Sequence, residues 1–297
     1  MSVLAKKLST ASRVLQTQGV GGIRSVLVDK GQALRARLYG RIARSMWVWE
    51  DHWWIGKVVE LRGNRVKVGG CEFSLDSPAI RTTHKSRLFF DFVYETPERE
   101  ALERYLKPEL PVVELGASIG VIACLTNKKL SDPQRHVVVE ANPDLLPLLI
   151  ENRDRNRCSF AVLHGAIAYG QEYTRFYQSR DFLCGSVQHG SHKYVPVKTL
   201  GLRAVLDNFS YQRCTLICDI EGGESDLIEH DLDLLGQRVE TLIIEIHEKV
   251  LGKEAVEKIL RKLEDAGLVL VHRKWETYVF ENSSLRRMSA AGGENLP

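Results

Sequence analysis

Three carboxylates crowd the segment Leu216-Ile217-Cys218-Asp219-Ile220-Glu221-Gly222-Gly223-Glu224, directly after an apolar run that reads as a strand. Like charges held so close raise one another's pKa, so a group there can take a proton from a reacting centre or orient a polar substrate. A second acidic segment, Glu245-Ile246-His247-Glu248, ends another apolar run and adds an imidazole. In an open α/β sheet such strand ends border the crevice where ligands bind. Asp219 or Glu221 is the expected general base and His247 the second choice. Ordinary solvated strand ends are the alternative, and it weighs most for His247 and Glu248.

Two further strand ends carry binding chemistry. Val112-Val113-Glu114-Leu115-Gly116-Ala117-Ser118-Ile119-Gly120 is a buried strand that turns through two glycines into a helix. Small residues there let the backbone approach a ligand, and the helix start offers unpaired N–H groups. A dinucleotide fold would want G-x-G-x-x-G, whereas Gly116 and Gly120 are four apart, which weakens the pyrophosphate reading. Val137-Val138-Val139-Glu140-Ala141-Asn142-Pro143 then puts a carboxylate twenty-four residues after Gly116, placed to accept both hydroxyls of a ribose. A ribose acid without a pyrophosphate loop points to a nucleoside free of phosphates, and S-adenosylmethionine fits that description.

The elements that must position these groups form a regular series. From about residue 97 strands alternate with helical stretches, the signature of a mostly parallel sheet covered on both faces. Helix 97–106 precedes strand 112–115, strand 136–140 precedes helix 144–152, and strand 160–163 follows. Residues 173–200 read as irregular structure with short strands, and 202–208 as helix. Strands at 215–220 and 241–246, a helix over 253–266 and an antiparallel pair at 268–273 and 277–280 complete seven core strands. The Ser-, Ala- and Gly-containing tail, residues 284–297, is expected to be disordered.

These four strand ends, with Thr199-Leu200, together resemble the FkbM family of S-adenosylmethionine-dependent methyltransferases, in the family's order from about Tyr94 to Phe280. The segment Asp219-Ile220-Glu221-Gly222-Gly223-Glu224 is the most specific mark. The resemblance implies a class I methyltransferase fold, with a seven-stranded sheet whose last strand is antiparallel, over residues 91–283. It implies O-methylation of a hydroxyl on a sugar, glycolipid or polyketide-type product. The cofactor set it carries over comprises Glu114, Gly116, Ala117, Ser118, Gly120, Glu140, Asn142, Ala166 and Asp219. Glu114 stands where the family usually has aspartate, Ser118 where asparagine is common and Gly223 where alanine is common. A longer Glu114 would shift the contact to the methionine amino group. No metal is required, although the acidic cluster could hold Mg²⁺. A methyltransferase-fold adaptor without activity is the competing reading.

Composition frames these readings. The chain has 297 residues, 44% hydrophobic and 27% charged, with ordinary Gly and Pro usage, which excludes collagen-like, disordered and disulfide-scaffold classes. Its six cysteines form no C-x-x-C pair and read as reduced, packed thiols. The net charge of +3 hides a division, because residues 1–50 hold nine Lys and Arg against two acids, leaving the rest at −4.

Residues 1 to about 90 lie outside the resemblance and read as an extension. It holds two basic amphipathic helices, four tryptophans between Trp47 and Trp54, and a small hairpin within 57–73. Three tasks compete for residues 1–55: packing on the catalytic domain with the tryptophans in a satellite core, lying on an anionic membrane, and, least favoured, binding nucleic acid. No stretch reaches the roughly 18 apolar residues of a membrane span. The expected location is the cytoplasm, with the membrane contact peripheral.

Overall fold

The computed structural model describes residues 52–91, 94–178, 187 and 194–285. The basic helices, Trp47 and Trp49, most of the 184–192 segment and the tail from 286 lie outside the described residues. Contacts divide the chain at Glu50, and the unit that starts at Asp51 contains all the elements below.

The described chain opens with helix α1 (Trp53–Leu61), a hairpin of β1 (Arg65–Val68) and β2 (Cys71–Ser74), and helix α2 (Thr82–Phe89). The expected hairpin is shorter than its 57–73 span, because Ile55, Gly56 and Val59 recur at helical spacing and are buried together on α1. Gly56 is required there: a Cβ would stand 1.7 Å from the Thr82 carbonyl oxygen, so α1 and α2 touch backbone to backbone. Trp53 and Trp54, the two described members of the tryptophan cluster, are 60% and 53% exposed.

Helix α3 (Thr96–Tyr105) leads into an alternating series of β3 (Val112–Leu115), α4 (Val121–Asn127), β4 (His136–Glu140), α5 (Leu146–Arg155) and β5 (Ala161–His164). Next come β6 (Ala166–Ile167), β7 (Tyr173–Tyr177) and β8 (Tyr194–Leu200), which form a separate three-stranded sheet in the order β6-β8-β7. The series closes with α6 (Leu202–Asn208), β9 (Cys214–Cys218), α7 (Glu224–Arg238), β10 (Val239–Glu245), α8 (Glu248–Leu251), α9 (Lys253–Asp265), β11 (Leu268–Lys274) and β12 (Thr277–Asn282).

Seven strands make the central sheet in the order β11-β12-β10-β9-β3-β4-β5. Pairing is parallel from β10 to β5, and β12 runs antiparallel to both of its neighbours. Numbered along the chain, the strand order is third, second, first, fourth, fifth, seventh, sixth, with the seventh reversed. This is the class I methyltransferase topology. Successive strand residues face opposite layers: Val112, Val138, Ile217 and Ile243 join the core with α3, α4, α5 and the hairpin. Val113, Val137, Leu216 and Leu242 join the core with α6, α7 and α9.

The hairpin is fastened to the sheet layer by two asparagines, Asn152 in α5 and Asn156 at its C-terminal cap. Asn152, fully buried, accepts the Ser74 N–H at 2.7 Å and donates to the Ser74 and Ile119 carbonyls. Asn156 accepts the Glu72 N–H at 2.9 Å and donates to the Glu72 carbonyl. Side-chain amides thus pair with the edge of β2 as a neighbouring strand would. Among the described residues no helix is long and apolar enough to cross a membrane.

Candidate active site

Parallel register brings the predicted residues into one row. Leu115 of β3 pairs with Val139 of β4 and Cys218 of β9, and Cys218 pairs with Ile244 of β10. The residues that follow, Glu140, Gly116, Asp219 and Glu245, therefore lie side by side at the carboxyl edge of the sheet. Four signals far apart in sequence converge there because parallel strands all end on the same side.

At the centre of the row the backbone packs too tightly for any side chain. Gly116 has φ +88°, and a Cβ on it would stand 1.7 Å from the Asp219 carbonyl oxygen. Gly120, at φ +84°, caps α4 against Leu149. Between them Ser118 takes a left-handed φ of 48°, which turns its N–H onto Glu140 Oε2 at 2.6 Å. The other oxygen of Glu140 accepts the Asn142 N–H at 2.6 Å. Burial pushes the Glu140 carboxyl up to about 7, with the Asn142 and Ser118 N–H groups opposing the rise. The Ser118 hydroxyl is buried with no hydrogen-bond partner. Ala117 and Asn142 are buried beside this turn, and Ala166 packs with Phe176 and Val197 against Ala141 and Val187. Val187 is the one described residue of the 184–192 segment.

On the other side of Gly116 lies a cluster of acids around one imidazole. His247 Nε2 stands 3.4 Å from Glu221, 3.6 Å from Asp219 and 4.0 Å from Glu245. Its Nδ1 is 3.2 Å from Glu224. Burial opposes a charge on the ring, but Glu224, Asp219 and Glu221 outweigh it and raise His247 to about 10. At neutral pH this imidazole already holds its proton, so the base role offered to His247 as a second choice does not suit it. Burial, Glu245 and Glu221 push the Asp219 carboxyl well above the usual range, His247 opposing. Burial and Glu98 raise Glu245 to about 8. Asp219 is the most open of the acids around Nε2, with 36% of its side chain exposed against 22% for Glu221 and 24% for Glu245.

Asp219, Glu245 and His247 bring one potential ligand atom each within 4.8 Å of one another. With no metal bound, the carboxylates around the ring favour its protonated form.

The structure sets Glu114 apart from this row. It is 2% exposed, faces the α4 layer, and lies 3.6 Å from Nε2 of the fully buried His136. Residues that sequence reasoning passed over join the cluster from α3. Glu95, at a left-handed φ of 48°, caps that helix, and Glu98 in its first turn accepts the Thr277 hydroxyl. Burial and Glu98 raise the Glu95 carboxyl, while Tyr94, 5% exposed, is raised by burial and by Glu95. Two glutamates three apart around Pro97 were the available signal, since that spacing puts both at the start of one helix.

No family model matches the chain, and no curated protein matches it. Among solved structures it is similar to a precorrin-6y C5,15-methyltransferase from Geobacter metallireducens GS-15, at 12% identity over 62% of this chain and 84% of that one, with a TM-score of 0.39. It is similar to M. jannaschii TYW2 in complex with AdoMet, at 17% identity over 73% and 85% of the two chains, TM-score 0.38. A third similarity is to Aeropyrum pernix fibrillarin with natively bound S-adenosyl-L-methionine, at 12% identity over 61% and 72%, TM-score 0.36. Likenesses this remote add nothing to the strand order, on which the fold assignment stands.

Proposed function

We propose that this chain is an S-adenosylmethionine-dependent O-methyltransferase of the FkbM kind, acting on a hydroxyl of a sugar, glycolipid or related metabolite. The observation that carries the reading is the row Glu140-Gly116-Asp219-Glu245, which sets a ribose-type carboxylate and a proton-accepting cluster on either side of one bare glycine. The orphaned Ser118 hydroxyl and the missing side chain at Gly116 suit a nucleoside with a short polar tail.

When bound, the cofactor supplies a methyl group that is already electrophilic. The protein's share is alignment, exclusion of water and removal of a proton. Glu140 keeps lone-pair capacity beyond that given to its backbone N–H donors and offers it to ribose hydroxyls. Asp219, the most open acid, or Glu221 beside it, takes the proton of the acceptor hydroxyl as the new bond forms, a contribution of about 10²- to 10⁴-fold. His247 balances their charge. The test is transfer of a labelled methyl group from S-adenosylmethionine to a panel of glycans, glycolipids and small polyols. Transfer to a hydroxyl supports the reading, and cofactor binding without turnover over the whole panel favours the adaptor instead.

The basic arm extends the proposal. Residues 1–55 rest on an anionic membrane surface and bring the site to lipid-linked acceptors. Co-sedimentation with anionic liposomes should pellet the intact chain and leave a chain lacking residues 1–45 in solution. Equal pelleting of both would remove the membrane from the account.

A further inference from the structure

Glu224 holds a place that proton transfer and cofactor binding leave without a task. It opens α7, yet its carboxylate points backward, into the turn that precedes the helix. Oε1 accepts the Ile220 N–H at 3.2 Å and Oε2 accepts the Gly222 N–H at 2.9 Å. The first oxygen also takes the hydrogen on His247 Nδ1, at 3.2 Å. The residue is 0% exposed, so nothing in water competes for these bonds. A carboxylate so deep is tolerated when several donors meet it, and the start of a helix favours negative charge.

The bonded turn is strained in its own right. Glu221 has φ 52° and Gly222 has φ 101°, two left-handed residues in succession. The first is not glycine, so the conformation persists only where the surroundings impose it. Glu224 grips the N–H on either side of Glu221, which aims that carboxylate at His247 Nε2.

We infer that Glu224 is a positioning residue: it clamps the Asp219–Gly222 turn to the His247 ring and so fixes the imidazole as a cation beneath the carboxylates of the row. Among the described residues the groups within ion-pair reach of the ring are Asp219 and Glu221 from the turn, Glu224 from α7 and Glu245 from β10, all of them acids. With Nδ1–H tied to Glu224, the ring cannot rotate, and Nε2–H stays among the other three. The cation offsets part of their mutual repulsion, which keeps an acid of the cluster ionised as an acceptor of the substrate proton. The consequence for catalysis rests on the proposed methyl transfer, whereas the clamp itself does not.

The experiment is nitrogen-15 NMR of His247 in the full chain, as wild type and as Glu224→Gln, with pH–rate profiles of both where turnover is available. In the wild type both ring nitrogens should remain protonated through pH 8. In Glu224→Gln the His247 titration should move down by at least about one pH unit, as expected on losing an opposite charge in contact. The ascending limb of its pH–rate profile should move down, because His247 stays a cation after such a shift while Asp219 loses the repulsion of a neighbouring carboxylate. A wild-type His247 that is neutral at pH 7 overturns the inference even if the variant does not fold. An unchanged His247 titration in a folded variant overturns it equally. Calorimetry with S-adenosylmethionine on the same wild-type sample separates the two claims, since absence of cofactor binding would sink the methyltransferase reading and leave the His247 result standing.

Discussion

Glu114 and His136 meet beneath the central sheet, and His247 meets Asp219, Glu221, Glu224 and Glu245 at its carboxyl edge. Burial acts on both sites and ends in opposite charge states. In the inner pair burial pushes Glu114 up to about 8 and His136 down to about 3, so both are neutral near pH 7. At the edge burial again opposes the imidazolium, but several carboxylates in contact overturn it. The number of opposite charges in reach, more than depth, decides which state an acid and a histidine adopt. The inner pair is closed off beneath the sheet, and the outer cluster is the one the proposed proton transfer uses.

The largest test of that contrast falls on Asp219. Asp219→Asn should lower the methyl-transfer rate by about 10²- to 10⁴-fold while the melting temperature holds, as measured by steady-state kinetics and thermal unfolding of one preparation. Next in size is the inner pair. Replacing both members, Glu114→Leu with His136→Leu, should leave stability unchanged or raise it by up to about 4 kcal/mol in denaturant unfolding, because two desolvated polar groups are exchanged for packing. Glu114→Gln should leave cofactor affinity unchanged, and a loss of affinity would restore Glu114 to the cofactor site that the family resemblance implies.

The smallest effect is a pH dependence at Glu140. Its carboxyl rises from the ordinary 4.5 to about 7, and the ionised form is the one that accepts hydroxyls. Affinity for S-adenosylmethionine should therefore increase by about tenfold between pH 6 and pH 8, and Glu140→Gln should flatten the curve. The sign for the unliganded fold is the reverse. A carboxyl raised in the folded state contributes stability that is complete below pH 4.5 and is lost as pH rises through about 7. Calorimetry and thermal unfolding over the same pH range check the pair of slopes.

Much of the row was legible because a buried parallel strand is a near-continuous apolar run, and an acid directly after it marks the sheet's carboxyl edge. Val137-Val138-Val139-Glu140 and Leu216-Ile217-Cys218-Asp219 are both of this kind. Helix α7 was not read from the sequence. Its buried Leu227, Ile228, Leu234 and Leu235 recur at helical spacing, but its acids and the non-helical Asp231, at φ −117° and ψ 19°, interrupt the pattern. The clamp made by Glu224 was hidden with that helix. Helix α1 was read as part of the hairpin because Lys57 to Phe73 alternates apolar and polar residues across the helix end. Asn152 and Asn156 gave no signal either, since an asparagine that stands in for a strand is defined only by what it packs against.

The central claim, a phosphate-free nucleoside cofactor held by Glu140 beside Gly116, is tested most directly by calorimetric titration of S-adenosylmethionine into the full chain and into Glu140→Ala. Saturable binding by the wild type, weakened about 10- to 100-fold in the variant, is the predicted result, the size expected for hydrogen bonds to a charged group. Wild-type protein that takes up no S-adenosylmethionine, or a variant that binds it equally well, would contradict the account.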